Sequence, residues 1–140
     1  MIYVQHLLGI GHLRRAAFLA QALVKKKIQV DLITGGFPVP DLALSGVNLH
    51  QLPPVRSLNN RFTQLVDEFG AEINDHWKSR RRDQLLILFK TQSPQMLITE
   101  TFPFGRRMMR FELLPLLDAA RNHAQPPIIV SSIRDILQPK

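Results

Sequence analysis

Cysteine is absent from the 140 residues. Disulfides and thiolate metal sites are therefore excluded, and a reducing compartment is the natural setting. Acidic residues are scarce: eleven Asp and Glu face eighteen Lys and Arg, a net charge of +7. Such a surface attracts anions, whether nucleic acid, anionic lipid or phosphorylated substrates, and the charge does not choose among them. Solubility alone also accounts for it. Aromatic residues make up 7%, few for the stacking platforms of an RNA-recognition sheet. No apolar run approaches the roughly 18 residues of a membrane span. No basic segment followed by an apolar stretch precedes the first strand, so no signal peptide is expected. Neither a G-x-S-x-G elbow nor a complete G-x-x-x-x-G-K-[ST] phosphate loop occurs.

What is present suits one domain with one core: hydrophobic residues reach 45%, which argues against disorder. Ile2 to Gln5 reads as a short buried strand, and Leu7 to His12 as a glycine-containing turn. Leu13, Ala16, Ala17, Ala20, Leu23 and Val24 then recur at helical spacing, closed by Lys25–Lys27 at the end favoured by cations. Ile28 to Thr34 reads as a second strand, ended by Gly35-Gly36, and Val47 to Leu52 as a third. The spacing predicts a helix over Asn59 to Thr91, with Phe62, Leu65, Val66, Phe69 and Ile73 in one stripe and Leu85, Leu86, Leu88 and Phe89 in another. Arg80-Arg81-Arg82 between them reads as an exposed face. Met96 to Thr99 is a fourth strand. A helical region follows the Phe102–Gly105 loop to about Ala124, with Pro115 expected to kink it or open a second helix. Ile128 to Ser131 is a fifth strand.

Strands alternating with helices predict an α/β, Rossmann-like domain with a parallel sheet of about five strands in the order 3-2-1-4-5. That order reverses between the first and fourth strands, and sheets of this kind bind ligands there, beyond the carboxyl ends of the strands. The segments Leu7–His12 and Glu100–Gly105 should line that crevice. Gly9 and Gly11 permit close approach of a ligand to the backbone, and the helix behind them offers free N–H groups to an anion. The positive end of that helix favours an uncharged imidazole at His12, the form a general base needs. A plain strand–helix turn with a surface histidine explains the same residues equally well. The dinucleotide fingerprint fits less well: Arg14 replaces its third glycine, and Asp31 reads as lying inside the second strand rather than at its end.

The Gly9-x-Gly11-His12 turn after the first strand resembles the acceptor-side turn of GT-B sugar transferases. These include the bacterial enzyme that adds N-acetylglucosamine to a lipid-linked peptidoglycan precursor, and plant and animal UDP-glycosyltransferases. Gly11-His-Leu-Arg-Arg15, Ile98-Thr-Glu-Thr-Phe-Pro-Phe-Gly-Arg-Arg107 and Ser132-Ile-Arg-Asp-Ile136 together resemble a bacterial group of predicted transferases related to that peptidoglycan enzyme. The resemblance implies an amino-terminal, acceptor-binding domain with His12 as the base that deprotonates the acceptor hydroxyl. It also implies a nucleotide-sugar donor held by a second α/β domain, which does not follow Lys140 and would come from elsewhere. A cytoplasmic setting is implied, at the inner face of a membrane if the acceptor is lipid-linked. No cofactor and no metal are implied.

Glu100 should face His12 and either orient it or bond an acceptor sugar; a cap or salt-bridge glutamate is the plainer reading. Thr101 flanks it. Gly105 with Arg106 and Arg107 opens the next helical stretch and could grip a phosphate, although a solvated basic face is the commoner explanation. Arg14 and Arg134 are candidate substrate contacts, although Arg134 and Asp135 could simply pair. Of Arg14 and Arg15, one should face the cleft and the other solvent. His6, His50, His76 and His123 are scattered without metal-ligand spacing and read as structural. Glu68 and Glu72, spaced for one helix face, and Asp75 read as solvated charges. Met108, Met109 and Phe111 read as packing. Two further functions remain open: a non-catalytic module binding a nucleotide, nucleic acid or partner through Arg80–Arg82 and Arg106–Arg110, and an NAD-linked oxidoreductase. An exposed apolar edge is expected where a second domain or another copy docks.

Overall fold

The computed structural model describes residues 1–59 and 64–133. Its main sheet has five parallel strands: β1 (Ile2–Val4), β2 (Asp31–Thr34), β3 (Asn48–Gln51), β6 (Met96–Glu100) and β7 (Ile128–Ser132). Their order is β3-β2-β1-β6-β7, the arrangement predicted for the five principal strands. A separate antiparallel pair, β4 (Arg56–Ser57) and β5 (Leu65–Val66), lies between β3 and the second long helix in the chain. Ile2, the first residue of β1, is in register with Leu32 and Ile98, so β2 starts one residue and β6 two residues before β1.

The alternation of side chains across the strands divides the core. Ile2, Val4, Leu32 and Ile98 point to one face, where α1 (Gly11–Lys25) lays down Leu13, Ala16 and Ala20. Tyr3, Ile33 and Leu97 point to the other, against α2 (Asp75–Gln92) and α3 (Arg110–Arg121). The alanines of α1 let its backbone lie close to the sheet. Met109 is buried, and Met108 and Phe111 pack against the same core, as their apolar character suggested. Among the described residues, no helix is long and apolar enough to cross a membrane.

Three local expectations are corrected. The segment before α2 is not helical: Leu65 and Val66 form β5, Phe69 is exposed in a turn, and Phe62 lies outside the described residues. Asp67 accepts the amides of Phe69 and Ala71 at 2.9 Å, and Gly70 takes a positive φ, so a turn outcompetes the helix there. Glu68 and Glu72 therefore share no helix face, though both are exposed. The helix starts where Asn74 caps it, its side chain accepting from the Trp77 amide at 2.9 Å. Second, α3 runs unbroken through Pro115, so that residue opens no new helix. Third, Arg81 is fully buried, whereas Arg80 is exposed and Arg82 is half-buried against Asp83.

Arg81 uses all five of its N–H donors. Nε donates to Glu112 Oε2 at 2.7 Å, Nη1 to the carbonyls of Gly35 and Pro53 at 3.0 and 2.7 Å, and Nη2 to Gln5 Oε1 and Glu112 Oε1 at 2.5 and 2.9 Å. The Tyr3 hydroxyl donates to the same Glu112 carboxylate. Burial, then the charge of Glu112, holds the Tyr3 phenol well above its ordinary pKa, so it remains a donor. A Cβ at Gly35 would overlap the guanidinium, which explains glycine at the end of β2. The network ties α2 and α3 to the carboxyl end of β1, beside the crevice.

Ile128 and Ile129 of the edge strand β7 are exposed.

Candidate functional site

His12, Glu100 and Thr101 meet at the carboxyl ends of β1 and β6, where the strand order reverses. Glu100 is the last residue of β6 and is 2% exposed. Its Oε1 lies 3.1 Å from His12 Nδ1. A carboxylate only accepts, so in a neutral ring Nδ1 carries the proton and Nε2 keeps its lone pair. Nε2 has no hydrogen-bond partner among the described residues, and the side chain is 28% exposed. The result is a held imidazole with one basic nitrogen free. Thr101 Oγ1 stands 3.5 Å from His12 Nδ1.

The loop after β6 is under backbone strain. Thr101 has φ 71° and Arg106 φ 57°, both left-handed without being glycine. For a β-branched residue this is a true outlier, and such positions cost about 1–3 kcal/mol and cluster at functional sites. Thr101 is pinned by its amide donating to Ser132 O and by its carbonyl accepting from Gly105 N, both at 2.8 Å. A Cβ at Gly105 would stand 2.6 Å from Thr101 Cγ2, so glycine is required there. Arg106 turns inward, its Nε donating to Gln5 O at 2.7 Å. Burial lowers its pKa from the usual value, opposed by the charge of Glu100.

Of the two arginines in α1, Arg15 joins the site. Its Nη1 lies 3.4 Å from Glu100 Oε1, and its Nη2 donates to Ile133 O at 2.6 Å. Arg14, the residue chosen from the sequence for ligand contact, is exposed and makes no side-chain hydrogen bond or ion pair among the described residues. Arg15 shares the helix face of His12 because residues three apart lie together and residues two apart do not. Arg134 and Asp135 lie outside the described residues. Arg107 and Arg110 are exposed.

Gly9 and Gly11 do not use left-handed backbone, and a Cβ at either meets nothing within 4 Å. The fold itself therefore does not demand glycine at these positions. Gly11→Ala is expected to raise the unfolding free energy by about 0.4–1 kcal/mol, because alanine restricts the unfolded chain; a thermal melt checks this. Ile10 precedes α1 without a side-chain cap, and no acidic residue occupies the first turn, so the leading amides stay unpartnered by side chains.

Asp31 begins β2 rather than lying inside it, and accepts from His50 Nε2 at 2.9 Å. It is at the opposite end of the sheet from Gly9 and Gly11. The acidic partner of a dinucleotide fingerprint must sit at the carboxyl end, so the NAD reading fails on position. No His, Asp or Glu cluster suited to a metal occurs among the described residues.

Sequence reasoning passed over His6, taking it as structural. It is 5% exposed; one ring nitrogen, Nε2, faces Phe37 O at 3.1 Å, while Nδ1 is buried without a partner. Burial lowers its pKa from the ordinary 6.5, with Arg106 and His12 adding to the effect and the Phe37 carbonyl opposing it. A depressed value in the folded state means the unfolded chain takes up the proton first. The stabilising contribution is thus whole above about pH 6.5 and is lost as pH falls from there toward the folded value. Denaturant melts between pH 7.5 and 5 should show a decline that is shallower in His6→Gln.

Compared with known proteins, the chain matches no family model, no curated protein and no solved structure.

Proposed function

We propose that this chain is the acceptor-binding half of a sugar transferase of the GT-B type, with a Rossmann-like domain whose His12 is the catalytic base. The observation that carries the reading is the 3.1 Å contact between His12 Nδ1 and the buried Glu100 carboxylate at the switch point of the sheet. A carboxylate behind one imidazole nitrogen selects the tautomer and stabilises the charge that forms when the other takes a proton. In the reaction, the acceptor hydroxyl gives its proton to His12 Nε2 while its oxygen bonds to the anomeric carbon of the donor. The bond from that carbon to the nucleotide diphosphate breaks with its electron pair, and the configuration inverts. The donor would be bound by a second α/β domain or a partner chain.

The surroundings favour an anionic acceptor. Arg15 and Arg106 stand near the single Glu100 charge, and the whole chain carries +7. A phosphorylated or lipid-linked acceptor at an anionic membrane surface matches this balance. Gly9 and Gly11, which the fold leaves open, would admit it close to the backbone.

The test supplies the chain with a nucleotide-sugar-binding half and follows labelled sugar from UDP, GDP and dTDP donors onto hydroxyl acceptors, lipid-linked ones included. His12-dependent transfer is expected. If transfer occurs with none of these, or survives His12→Ala undiminished, the reading is wrong.

A further inference from the structure

We infer that the half of the sheet left bare beside α1, over β6 and β7, seats an amphipathic helix with an acidic flank, supplied by another polypeptide. The inference goes beyond the transferase reading and needs no transfer reaction. On this face, α1 and the loop residues Val39, Leu42, Leu44 and Val47 complete the apolar cluster around Ile2, Val4 and Leu32. The helices α2 and α3 lie against the other face. Met96 and Ile98 share the α1 face, because alternate residues of a strand point the same way. Ile128 and Val130 stand beside them on the edge strand β7. No helix covers this pair of strands among the described residues, and Met96 is 41% and Ile128 63% exposed.

Shape selects a helix. The bare half forms an open groove of about 600 Å³, floored by Met96, Ile98 and Ile128 and walled on one side by Leu23 and Ile28 at the end of α1. Purely parallel sheets occur almost only with helices over both faces. A strand of five residues is about 16 Å long, which about eleven helical residues match. A helix laid beside α1 stands in the same layer and drops its apolar stripe into the groove. A flat lipid surface meets α1 before it reaches the floor.

Charge selects the sequence of that helix. Lys25, Lys26 and Lys27 sit in the tight turn between Leu23 and Ile28, where the amides of Lys26 and Ile28 both donate to Leu23 O, at 2.9 and 3.1 Å. All three lysines are exposed, and none forms an ion pair among the described residues. Asp31, the one acidic residue lining the groove, already accepts from His50 Nε2 and Asn48 Nδ2, at 2.9 and 3.3 Å. The rim is therefore basic without internal compensation, and it complements Glu or Asp flanking an apolar stripe. A second copy brings its own three lysines and a further net charge of +7, so charge opposes self-association here.

The experiment titrates the full chain, its Met and Ile methyl groups 13C-labelled, with two synthetic helical peptides of about fourteen residues. Both carry the same leucine stripe; one is flanked by Glu and the other by Lys. At about 100 mM salt, the Glu peptide should bind saturably and shift the Met96, Ile128 and Ile28 methyls. Its affinity should exceed that of the Lys peptide by about tenfold or more, the worth of a few surface ion pairs. Ile128→Glu should abolish binding, and Lys25→Glu with Lys26→Glu should reverse the preference. If Ile128→Glu does not fold, the methyl shifts and the lysine variant decide. The inference is overturned if neither peptide moves those methyls, if the two bind equally, or if the shifts fall elsewhere. It is equally overturned if the chain alone dimerises through the same methyls, which makes a second copy the occupant. Vesicles of phosphatidylcholine and phosphatidylserine that move them while the Glu peptide does not would overturn it too.

Discussion

Arg81→Met is expected to lower the unfolding free energy by about 3–5 kcal/mol, the cost of breaking a buried ion pair by removing one partner. The methionine fills much of the space but strips the 0% exposed Glu112 carboxyl of its guanidinium partner, with the Tyr3 hydroxyl as its remaining donor. It also strips a donor from the Gly35 and Pro53 carbonyls and from Gln5 Oε1. A domain of this size has roughly 5–15 kcal/mol in total, so the variant should stand near the edge of folding. At an m-value of about 1.5 kcal/mol/M, the urea midpoint should fall by roughly 2–3 M. The double variant Arg81→Met with Glu112→Met should recover much of the loss, because the unpaired charge is then gone. A single variant within about 1 kcal/mol of the parent would show that the pair is not buried as described.

The second large effect is on rate. With the donor-binding half supplied, His12→Ala is expected to cut turnover by about 10²–10⁴-fold, the usual worth of a general base. Stability should change little, because the His12 side chain is 28% exposed and bonded only through Nδ1. Glu100→Gln separates orientation from bulk. The amide keeps the shape but can donate to Nδ1, which stabilises the tautomer whose Nε2 is already protonated. The analogous exchange in a serine-protease triad costs about 10⁴-fold in turnover, and a loss of at least about 10²-fold is expected here. A Glu100→Gln variant with undiminished turnover, alongside an inactive His12→Ala, would remove Glu100 from the mechanism while leaving His12 in it.

The legible parts of the fold were those written in local pattern. Apolar runs and helical stripes marked the five strands of the main sheet and α1, though not β4 and β5, since a short apolar run between turn residues has few other places to go than a buried parallel strand. Strand order then placed the Leu7–His12 and Glu100–Gly105 segments at one crevice, and His12 and Glu100 do meet there. The stripe expected before α2 failed for the same local reason: its apolar spacing was compatible with a helix, but Asp67 and Gly70 favoured a turn and Asn74 set the true start.

Arg81 shows where pattern stops. It stands four residues after Trp77 and four before Leu85, on the buried stripe of α2, so its spacing was visible; its charge argued the other way. Burial of an arginine depends on partners distant in the chain, here Glu112, Gln5, Gly35 and Pro53, and no local window contains them. The same holds for His6, whose burial and Nε2 contact depend on Phe37 in the loop after β2. Periodicity and turn chemistry are properties of neighbouring residues, so they settle the elements and their order. Charge satisfaction and burial are properties of groups brought together from across the chain, so the Arg15–Glu100 contact, the buried Arg81–Glu112 pair and the burial of His6 emerged only once the sheet had closed around them.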